Sequence, residues 1–338
     1  MNYIDKAKRK ISNYLSDYKE LQISKKEFDP SKIHVKATGF WDSNLKDNLF
    51  SLSFLRAMQK AAGDKNLQYS SYKPDIEFFS VFSEPSEIDK SKAKIKIFYT
   101  GEDVHKNYTR FSDLLINKTD LSLGFDYPED MKEYDNYLRF PYWLLIHFGY
   151  TEDKDEIKKT VDWFNSRQNS RERFCSYIAR HDESGFRKSM IDIVEKVAPV
   201  SCAGKSYHND DSLNNIYNDD KRAYNSHFML NICPESVSEK GYTTEKLFDS
   251  FAAGCIPFYY GSMNEPDSFI NKNAIVMYDG HNSEEVIEKI RLLKEDEKYY
   301  NDFIKQPRLL ENAVDSVYQL NHNLRIKYEE ILSKYKLI

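Results

Sequence analysis

The sequence predicts an α/β protein made of two Rossmann-like domains in tandem. The first observation is the length, because 338 residues suit two domains of about 150 residues each. The second is that apolar strands alternate with helical stretches twice along the chain, which favours two parallel sheets with helices on both faces. The third is a highly charged, strand-poor stretch at 151–173, which is typical of a junction between domains.

The first half of the chain contains short apolar and aromatic runs that we expect to form strands. These runs are 32–41, 74–83, 93–101 and 119–127. Other segments carry apolar residues at the spacing of a helix face. They are 1–22, 48–62 and 139–150. Gly63 is placed to end the second of these helices, and Pro141 suits the first turn of the third.

The second half repeats the alternation. We expect strands at 173–179, 199–204, 227–233, 255–260 and 273–280. We expect helices at 185–198, 243–253, 283–296 and 309–335. The domain limits follow: an N-terminal domain at 1–158 that includes helix 1–22, a second domain at 159–316, and a C-terminal helix at 317–338. Ligands of open parallel sheets bind outside the carboxyl ends of the strands, so we expect a cleft there.

Composition excludes several classes of protein. The net charge of −5 gives no reason to expect a nucleic-acid partner. The first residues lack the apolar segment of a signal peptide, and no run approaches the roughly 18 apolar residues of a membrane span. Four cysteines without a CxxC pair indicate reduced thiols in a cytoplasmic protein. Helix 1–22 is basic on one face, and we favour packing on the domain over a peripheral contact with the inner membrane.

The run GYTTEKLFDSFAAGCIPFYYG at 241–261 predicts a helix that starts near Thr243, stops at a glycine and is followed by a strand. Thr243 is the expected N-cap, and Glu245 suits the positive end of the helix dipole. Lys246 has the wrong sign for that position unless an anion such as phosphate binds there. The alternative is that Glu245 only stabilises the helix and Lys246 extends into water.

Three segments together resemble glycosyltransferase family 10, the α-1,3/4-fucosyltransferases. They are FYTGED with GFD and YLRFP within 97–145, FCSYIARHDESGFRK with CAGK within 174–205, and FMLNICPES followed by GYTTEK within 228–262. One short motif would be weak evidence, but three in order over 97–280 form a strong pattern. The resemblance implies a GT-B fold, and transfer of L-fucose from GDP-fucose with inversion at the anomeric carbon.

The resemblance also implies roles for individual residues. Glu102 matches the family's general base, which would take the proton from the acceptor hydroxyl. Neighbouring Asp103, where the family usually has asparagine, is a competing candidate. Arg187 and Lys246 would hold the diphosphate, one as a bidentate fork and the other as a point charge. With these cations present, we expect no divalent metal to be required, and we read the DKD sequence at 153–155 as solvated surface.

The remaining donor residues also follow from the resemblance. Glu245 would accept hydrogen bonds from sugar or ribose hydroxyls, and Tyr242 would contact the sugar. Gly204 and Lys205 of the CAGK turn would touch the nucleotide. The family's CPEN is CPES here, so Glu235 and Ser236 are candidate donor contacts in which the asparagine is missing. A donor other than GDP-fucose is therefore an open alternative.

The acceptor side carries fewer signals. Trp41 ends the first strand, where an aromatic ring could stack on a sugar. Tyr127, Arg139 and Tyr142 lie in or near the YLRFP match and could line the same cleft. The expected acceptor is an oligosaccharide or lipopolysaccharide containing N-acetylglucosamine. A catalytically silent GDP-sugar-binding protein is the rival hypothesis from another class.

Overall fold

The computed structural model describes residues 15–16, 18–40, 51–261 and 267–338. Contacts divide the chain into two compact units, each with its own parallel sheet. The first unit comprises the chain up to Gly124, then Pro128–Phe140 and Leu320–Ile338. The second comprises Phe125–Tyr127 and Pro141–Gln319. The predicted α/β class with two parallel sheets is therefore confirmed.

The first unit contains a six-stranded sheet in the order β2-β1-β3-β4-β5-β6, with every pair parallel. Its strands are β1 Ile33–Thr38, β2 Leu67–Tyr69, β3 Ile76–Ser80, β4 Ile95–Tyr99, β5 Leu121–Gly124 and β6 Tyr137–Arg139. All five residues of β3 are buried, as expected for a central strand of a parallel sheet that is covered on both faces. The strand order reverses between β1 and β3, so this sheet is doubly wound.

Helices cover this sheet. They are α1 at 18–26, α2 Arg56–Ala62 and α3 Pro85–Lys90, and a π-helical turn at Ser51–Leu55 leads into α2. Two 3₁₀ turns follow β4, at Thr109–Phe111 and Ile116–Lys118. The core is strongly aromatic, since the Phe54 ring lies 4.9 Å from that of Tyr99 and 5.2 Å from that of Phe140, centroid to centroid. Each such pair contributes about 0.5–1.5 kcal/mol beyond its buried area.

The second unit contains a five-stranded parallel sheet in the order β11-β10-β9-β7-β8. Its strands are β7 Arg173–Tyr177, β8 Val200–Cys202, β9 Phe228–Ile232, β10 Ile256–Tyr259 and β11 Val276–Met277. The chain first moves outward from β7 to β8 and then crosses back to β9 on the other side of β7. The carboxyl ends of β7 and β9 therefore flank the point where the strand order reverses, which is where open α/β sheets bind ligands.

Nine helices belong wholly or partly to the described residues of the second unit. They are α4 Tyr142–His147, α5 Lys154–Ser166, α6 Phe186–Glu195, α7 Ser212–Asn215, α8 Lys221–Asn225, α9 Glu245–Ala252, α10 Ser283–Glu295, α11 Glu297–Ile304 and the first part of α12 Ala313–Lys334. A 3₁₀ turn at Lys272–Ala274 precedes β11. The four cysteines, at 175, 202, 233 and 255, are buried free thiols. No helix in the described residues has the length and apolarity to cross a membrane.

The two units divide the chain at 140/141 and within α12 at 319/320, whereas the sequence predicts boundaries at 158/159 and 316/317. The reason for the first difference is the aromatic packing of α4. Trp143 of α4 stacks on Phe248 of α9 with 5.1 Å between ring centroids, and its indole N–H donates to Asp267 at 2.9 Å. The sequence offered no signal that the YWLLIH helix would join the second sheet. Most of the predicted helix 1–22 lies outside the described residues.

Several elements were missed by the sequence analysis. Helix α5 lies in the charged stretch that we read as a linker, although Ile157, Val161 and Phe164 form its buried stripe. The helix expected after Pro141 is α4, but the sequence analysis did not predict strand β6, to which Arg139 belongs. Strand β2 and helix α7 have only three and four residues, too few to show a period.

Candidate functional site

A cavity of about 530 Å³ lies at the switch point of the second unit, in the size range of small-molecule sites. It begins at the ends of β7 and β9, where the chain leaves the sheet. Its walls are formed by residues 177–180, 219–222 and 231–234 together with Arg187, Asn225, Glu245, Lys246 and Asp249. The cavity therefore brings together residues that the sequence analysis selected from two distant segments: Arg187 from one, and Glu245 and Lys246 from the other.

Arg187 reaches the cavity from the first turn of α6. Gly185 precedes this helix with a φ of 71°, a left-handed conformation that glycine adopts without strain. Asp182 caps the turn, since its carboxylate accepts from the backbone N–H groups of Arg187 and Lys188 at 3.2 and 2.8 Å. The guanidinium donates to the carbonyl oxygen of His181 at 2.7 Å. This bond uses one of the five N–H donors of the guanidinium, so other donors can bind an anion.

Lys246 and Glu245 reach the cavity from the start of α9. The N-cap of this helix is Thr244, so the predicted N-cap, Thr243, is wrong by one residue. Thr244 has extended backbone angles and makes no capping bond with its own hydroxyl. Instead its N–H donates to the carboxylate of Glu235 at 2.7 Å, so a side chain from the preceding turn provides the negative charge at this helix end.

The lysine in the first turn has an anionic partner within the protein. The Lys246 ammonium donates to Glu235 Oε2 at 2.9 Å and to Thr244 Oγ1 at 2.8 Å. Burial disfavours its charge, but the Glu235 and Glu245 carboxylates outweigh this effect and raise the pKa of Lys246 above its ordinary value. The ammonium is therefore held charged, in one place, on the wall of the cavity.

The carboxylate of Glu235 accepts hydrogen bonds from most of the groups around the start of α9. Its side chain is 0% exposed, and its two oxygens accept from the Thr244 N–H, the Thr244 hydroxyl, the Lys246 ammonium and the Tyr259 hydroxyl. The sequence analysis selected Glu235 as a direct donor contact. The geometry instead gives it the task of positioning Lys246 and capping α9, because both its oxygens already have protein partners.

The other predicted donor residues lie around the cavity without appearing on its wall. Tyr242 is buried, and its hydroxyl lies 3.5 Å from the hydroxyl of the exposed Ser236. Gly204 follows β8, and a Cβ there would lie 2.2 Å from the carbonyl oxygen of Ala179. The glycine is therefore required for close packing of two loops, one of which lines the cavity. Lys205 is exposed beside it.

Glu102 and Asp103 follow strand β4 in the first unit and differ in environment. Asp103 is fully buried, and its carboxylate accepts from the backbone N–H groups of His105, Lys106 and Asn107 at 2.9–3.1 Å. It therefore has a structural role in the loop. Glu102 is partly exposed. Burial raises the pKa of the nearby Tyr108 phenol, and the negative charge of Glu102 raises it further. This distinction favours Glu102 over Asp103 as the reactive carboxylate.

The predicted acceptor residues are divided between the two units. Trp41 lies outside the described residues. Arg139 is buried in β6 of the first unit. Tyr127 and Tyr142 belong to the second unit, and the Tyr127 hydroxyl donates to Asp267 at 3.3 Å. Neither tyrosine lies on the wall of the cavity.

The sequence analysis missed several polar residues of the cavity wall. They are Arg180, Lys221, Arg222, Asn225, Asn231 and Asp249. The segment 209–220 contains helix α7 and leads into α8, and Asp220 is the N-cap of α8. The NDDKR sequence at 218–222 could have predicted part of this wall, because an N-capping aspartate is followed directly by two cations at the start of a helix.

Two acidic segments that could suggest a metal site, DKD at 153–155 and NDD at 209–211, have structural roles. Asp153 of the DKD sequence is the N-cap of α5 and accepts from the N–H groups of Asp155 and Glu156. Asp210 accepts from Ser212 and Tyr224 and lies 2.6 Å from the Arg173 guanidinium. Among the described residues no group of three or more His, Cys, Asp or Glu side chains could hold a metal ion.

Comparison with known proteins identifies two family models along the chain. Residues 35–146 match the alpha-(1,3)-fucosyltransferase FucT N-terminal domain, and residues 158–322 match the C-terminal part of glycosyltransferase family 10 (fucosyltransferase). Together they cover most of the chain. The match to the second model includes the whole cavity wall described above.

Individual relatives agree with these models. Alpha-(1,3)-fucosyltransferase FucT of Helicobacter pylori is 24% identical over 91% of this chain. Alpha-(1,3)-fucosyltransferase B of Drosophila melanogaster is 28% identical over 42% of it. The chain spans 66% and 34% of the lengths of these two relatives.

Solved structures share the fold. A crystal structure of alpha1,3-fucosyltransferase with GDP-fucose and another crystal structure of alpha1,3-fucosyltransferase have TM-scores of 0.58 and 0.60 at 19% and 18% identity. The alignments cover 88% and 89% of this chain and 92% of each structure. The two parallel sheets therefore belong to a GT-B fold, and with the two family models they show that the chain belongs to glycosyltransferase family 10.

Proposed function

We propose that the protein transfers L-fucose from GDP-fucose to a hydroxyl of a glycan acceptor, with inversion at the anomeric carbon. The observation that carries this proposal is the convergence of Arg187 and Lys246, from the starts of two different helices, on one cavity at the switch point of the second sheet. The family and the GDP-fucose complex of a solved fucosyltransferase support the choice of donor.

The donor chemistry follows from these two cations. When the bond between the anomeric carbon and the phosphate oxygen breaks, negative charge accumulates on the departing diphosphate. A guanidinium fork and an ammonium held in place stabilise that charge more in the transition state than in the bound donor. Glu245 on the same wall would accept hydrogen bonds from hydroxyls of the ribose or the sugar. Because two cations serve the diphosphate, we propose that no divalent metal is required.

The acceptor chemistry requires a base. In this proposal the acceptor hydroxyl oxygen attacks the anomeric carbon as the phosphate leaves, and the Glu102 carboxylate takes the hydroxyl proton. Support comes from its place after β4 and from the commitment of Asp103 to three backbone N–H groups. The glycan would contain N-acetylglucosamine and receive an α-1,3 or α-1,4 linkage. We place the reaction in the cytoplasm, with lipopolysaccharide as one acceptor class and a peripheral contact with the inner membrane.

The test separates binding from transfer. GDP affinity is measured by calorimetry for the wild type, Arg187→Ala and Lys246→Ala, and we expect each variant to bind on the order of tenfold or more weakly. GDP release is then followed with GDP-fucose or GDP-mannose and a panel of glycan acceptors. Wild-type GDP affinity in both variants would contradict the assignment of the cations.

Two outcomes would replace the proposal with its rivals. Turnover with GDP-mannose but not GDP-fucose would assign a different donor, an alternative raised by Ser236 in place of the family's asparagine. GDP binding without turnover of either donor, with every acceptor, would favour a silent GDP-sugar-binding protein.

A further inference from the structure

A second pocket of the second unit is lined by three arginines, Arg167, Arg171 and Arg308. It contacts Gly254, Cys255 and the first residue of β10, and therefore lies at the amino end of that strand. The donor cavity lies at the carboxyl ends of β7 and β9. All strands of a parallel sheet run in the same direction, so their amino ends and their carboxyl ends lie on opposite sides of the sheet. The two pockets are therefore separate.

Arg308 is held by the end of helix α5. Its guanidinium donates to the carbonyl oxygens of Phe164 at 2.7 Å and Asn165 at 3.4 Å, and to that of Arg167 at 2.7 Å. Burial, together with the charge of Arg167, lowers the pKa of Arg308 to about 10. The helix carbonyls stabilise this cation, but they contribute only about half an elementary charge.

The other two arginines are held in place by aromatic rings. The Arg167 guanidinium lies 5.0 Å from the centre of the Trp163 ring and donates through Nε to the carbonyl of Ala252 at 3.1 Å. The Arg171 guanidinium lies 4.9 Å from the centre of the Tyr300 ring and donates to its hydroxyl. Arg171 also donates through Nε to the carbonyl oxygen of Asn169 at 3.5 Å. In the described part of the chain, Nη1 and Nη2 of Arg167 and Nη2 of Arg171 have no hydrogen bond to a protein acceptor.

The charge of this pocket is uncompensated. Within the described ranges, no carboxylate forms an ion pair with Arg167, Arg171 or Arg308. Like charges that line one pocket raise each other's energy unless an anion lies between them. The cavity of about 40 Å³ has room for roughly three water molecules, which is also the scale of one tetrahedral oxyanion.

We propose that the pocket formed by Arg167, Arg171 and Arg308 binds a small tetrahedral oxyanion, such as inorganic phosphate or sulfate. This pocket lies at the amino ends of the strands of the second sheet, away from the donor cavity. The anion would accept from the free terminal N–H groups of the two stacked arginines and from Arg308. It would thereby join the end of α5 to the segment before α12, since all three residues belong to the second unit.

The experiment titrates inorganic phosphate and follows the midpoint of thermal unfolding and the heat of binding, with ionic strength held constant by sodium chloride. Four proteins are compared: the wild type, Lys246→Ala, the double variant Arg167→Met/Arg171→Met, and Arg291→Met. Methionine keeps an apolar stem against each ring. Arg291 is an exposed arginine of α10 that pairs with Glu288, and serves as the control for loss of one surface charge.

We expect phosphate to stabilise the wild type and Arg291→Met alike and to bind the double variant on the order of tenfold or more weakly. Lys246→Ala should still be stabilised by phosphate, because only the contribution of the donor cavity can be lost in that variant. GDP affinity of the double variant should equal that of the wild type, which also checks its fold. A response lost in Lys246→Ala but kept in the double variant would place phosphate in the donor cavity and overturn the proposal. Absence of any response in the wild type would overturn it as well.

Discussion

Replacement of Glu235 by alanine tests the central electrostatic feature of the donor cavity. The substitution leaves the Lys246 ammonium without its carboxylate and removes the acceptor of the Thr244 N–H and hydroxyl at the start of α9. It also removes an acceptor of the buried Tyr259 hydroxyl. We therefore expect Glu235→Ala to destabilise the protein and to weaken GDP binding, although Glu235 itself contacts no ligand in our proposal.

The magnitude follows from the burial of the pair. Removing one partner of a buried ion pair costs about 3–5 kcal/mol. Lys246 is 31% exposed, so it can turn partly toward water and reduce the cost toward about 3 kcal/mol. The unsatisfied backbone N–H of Thr244 adds about 1–3 kcal/mol. Their sum is about 4–6 kcal/mol, and we expect a somewhat smaller total of about 3–5 kcal/mol, because contributions from neighbouring groups are not strictly additive.

The assay is urea unfolding combined with calorimetric titration of GDP. The matched control is Glu77→Ala in the first unit, because Glu77 is also a buried carboxylate that accepts from a lysine, Lys36, at 2.7 Å and from Thr38 at 2.7 Å. Both variants should lose stability, and only Glu235→Ala should lose GDP affinity. Glu235→Gln keeps the shape of the side chain and should fold, with an intermediate loss of GDP affinity.

Two results would refute this reasoning. One is a loss of less than about 1 kcal/mol in the free energy of unfolding of Glu235→Ala, which would mean that the Glu235–Lys246 ion pair does not stabilise the protein. The other is wild-type GDP affinity in both Glu235 variants, which would mean that Lys246 needs no positioning or does not bind the diphosphate.

Three further predictions concern other parts of the chain. Glu102→Gln should reduce transfer by about 10²- to 10⁴-fold at unchanged GDP affinity, measured by GDP release, and an active variant would exclude this residue as the base. Gly204→Ala should lower stability by about 1–3 kcal/mol in urea, since its Cβ would lie 2.2 Å from the Ala179 carbonyl oxygen. Burial raises the pKa of Asp210, but hydrogen bonds from its neighbours outweigh this and lower it below the ordinary value, so its stabilisation is present above about pH 4 and is lost as the pH falls further. The stability difference between wild type and Asp210→Asn should accordingly shrink below pH 4, and a constant difference would contradict the shift.

The alternation of strands and helices was readable from the sequence because each element carries its own period. Strand β3 and helices α6 and α10 were found within a few residues of their observed bounds. Glu102 and Arg187 were selected through the resemblance to glycosyltransferase family 10, whereas the unusual charge of Lys246 at a helix start was also visible in the local sequence. Helix α5 was missed because charged residues surround its narrow apolar stripe.

What the sequence determined by itself is therefore local: the class of fold, the order of its elements, and the positions where chemistry-bearing side chains leave a strand or enter a helix. Only the tertiary structure decided which of these side chains face one cavity and which are buried as structural groups. Glu235 and Asp103 look like site residues in the sequence, yet both are buried acceptors that hold a turn or helix end. The physical reason is that a carboxylate's role depends on the donors around it, and those donors are placed by packing between segments that local sequence does not relate.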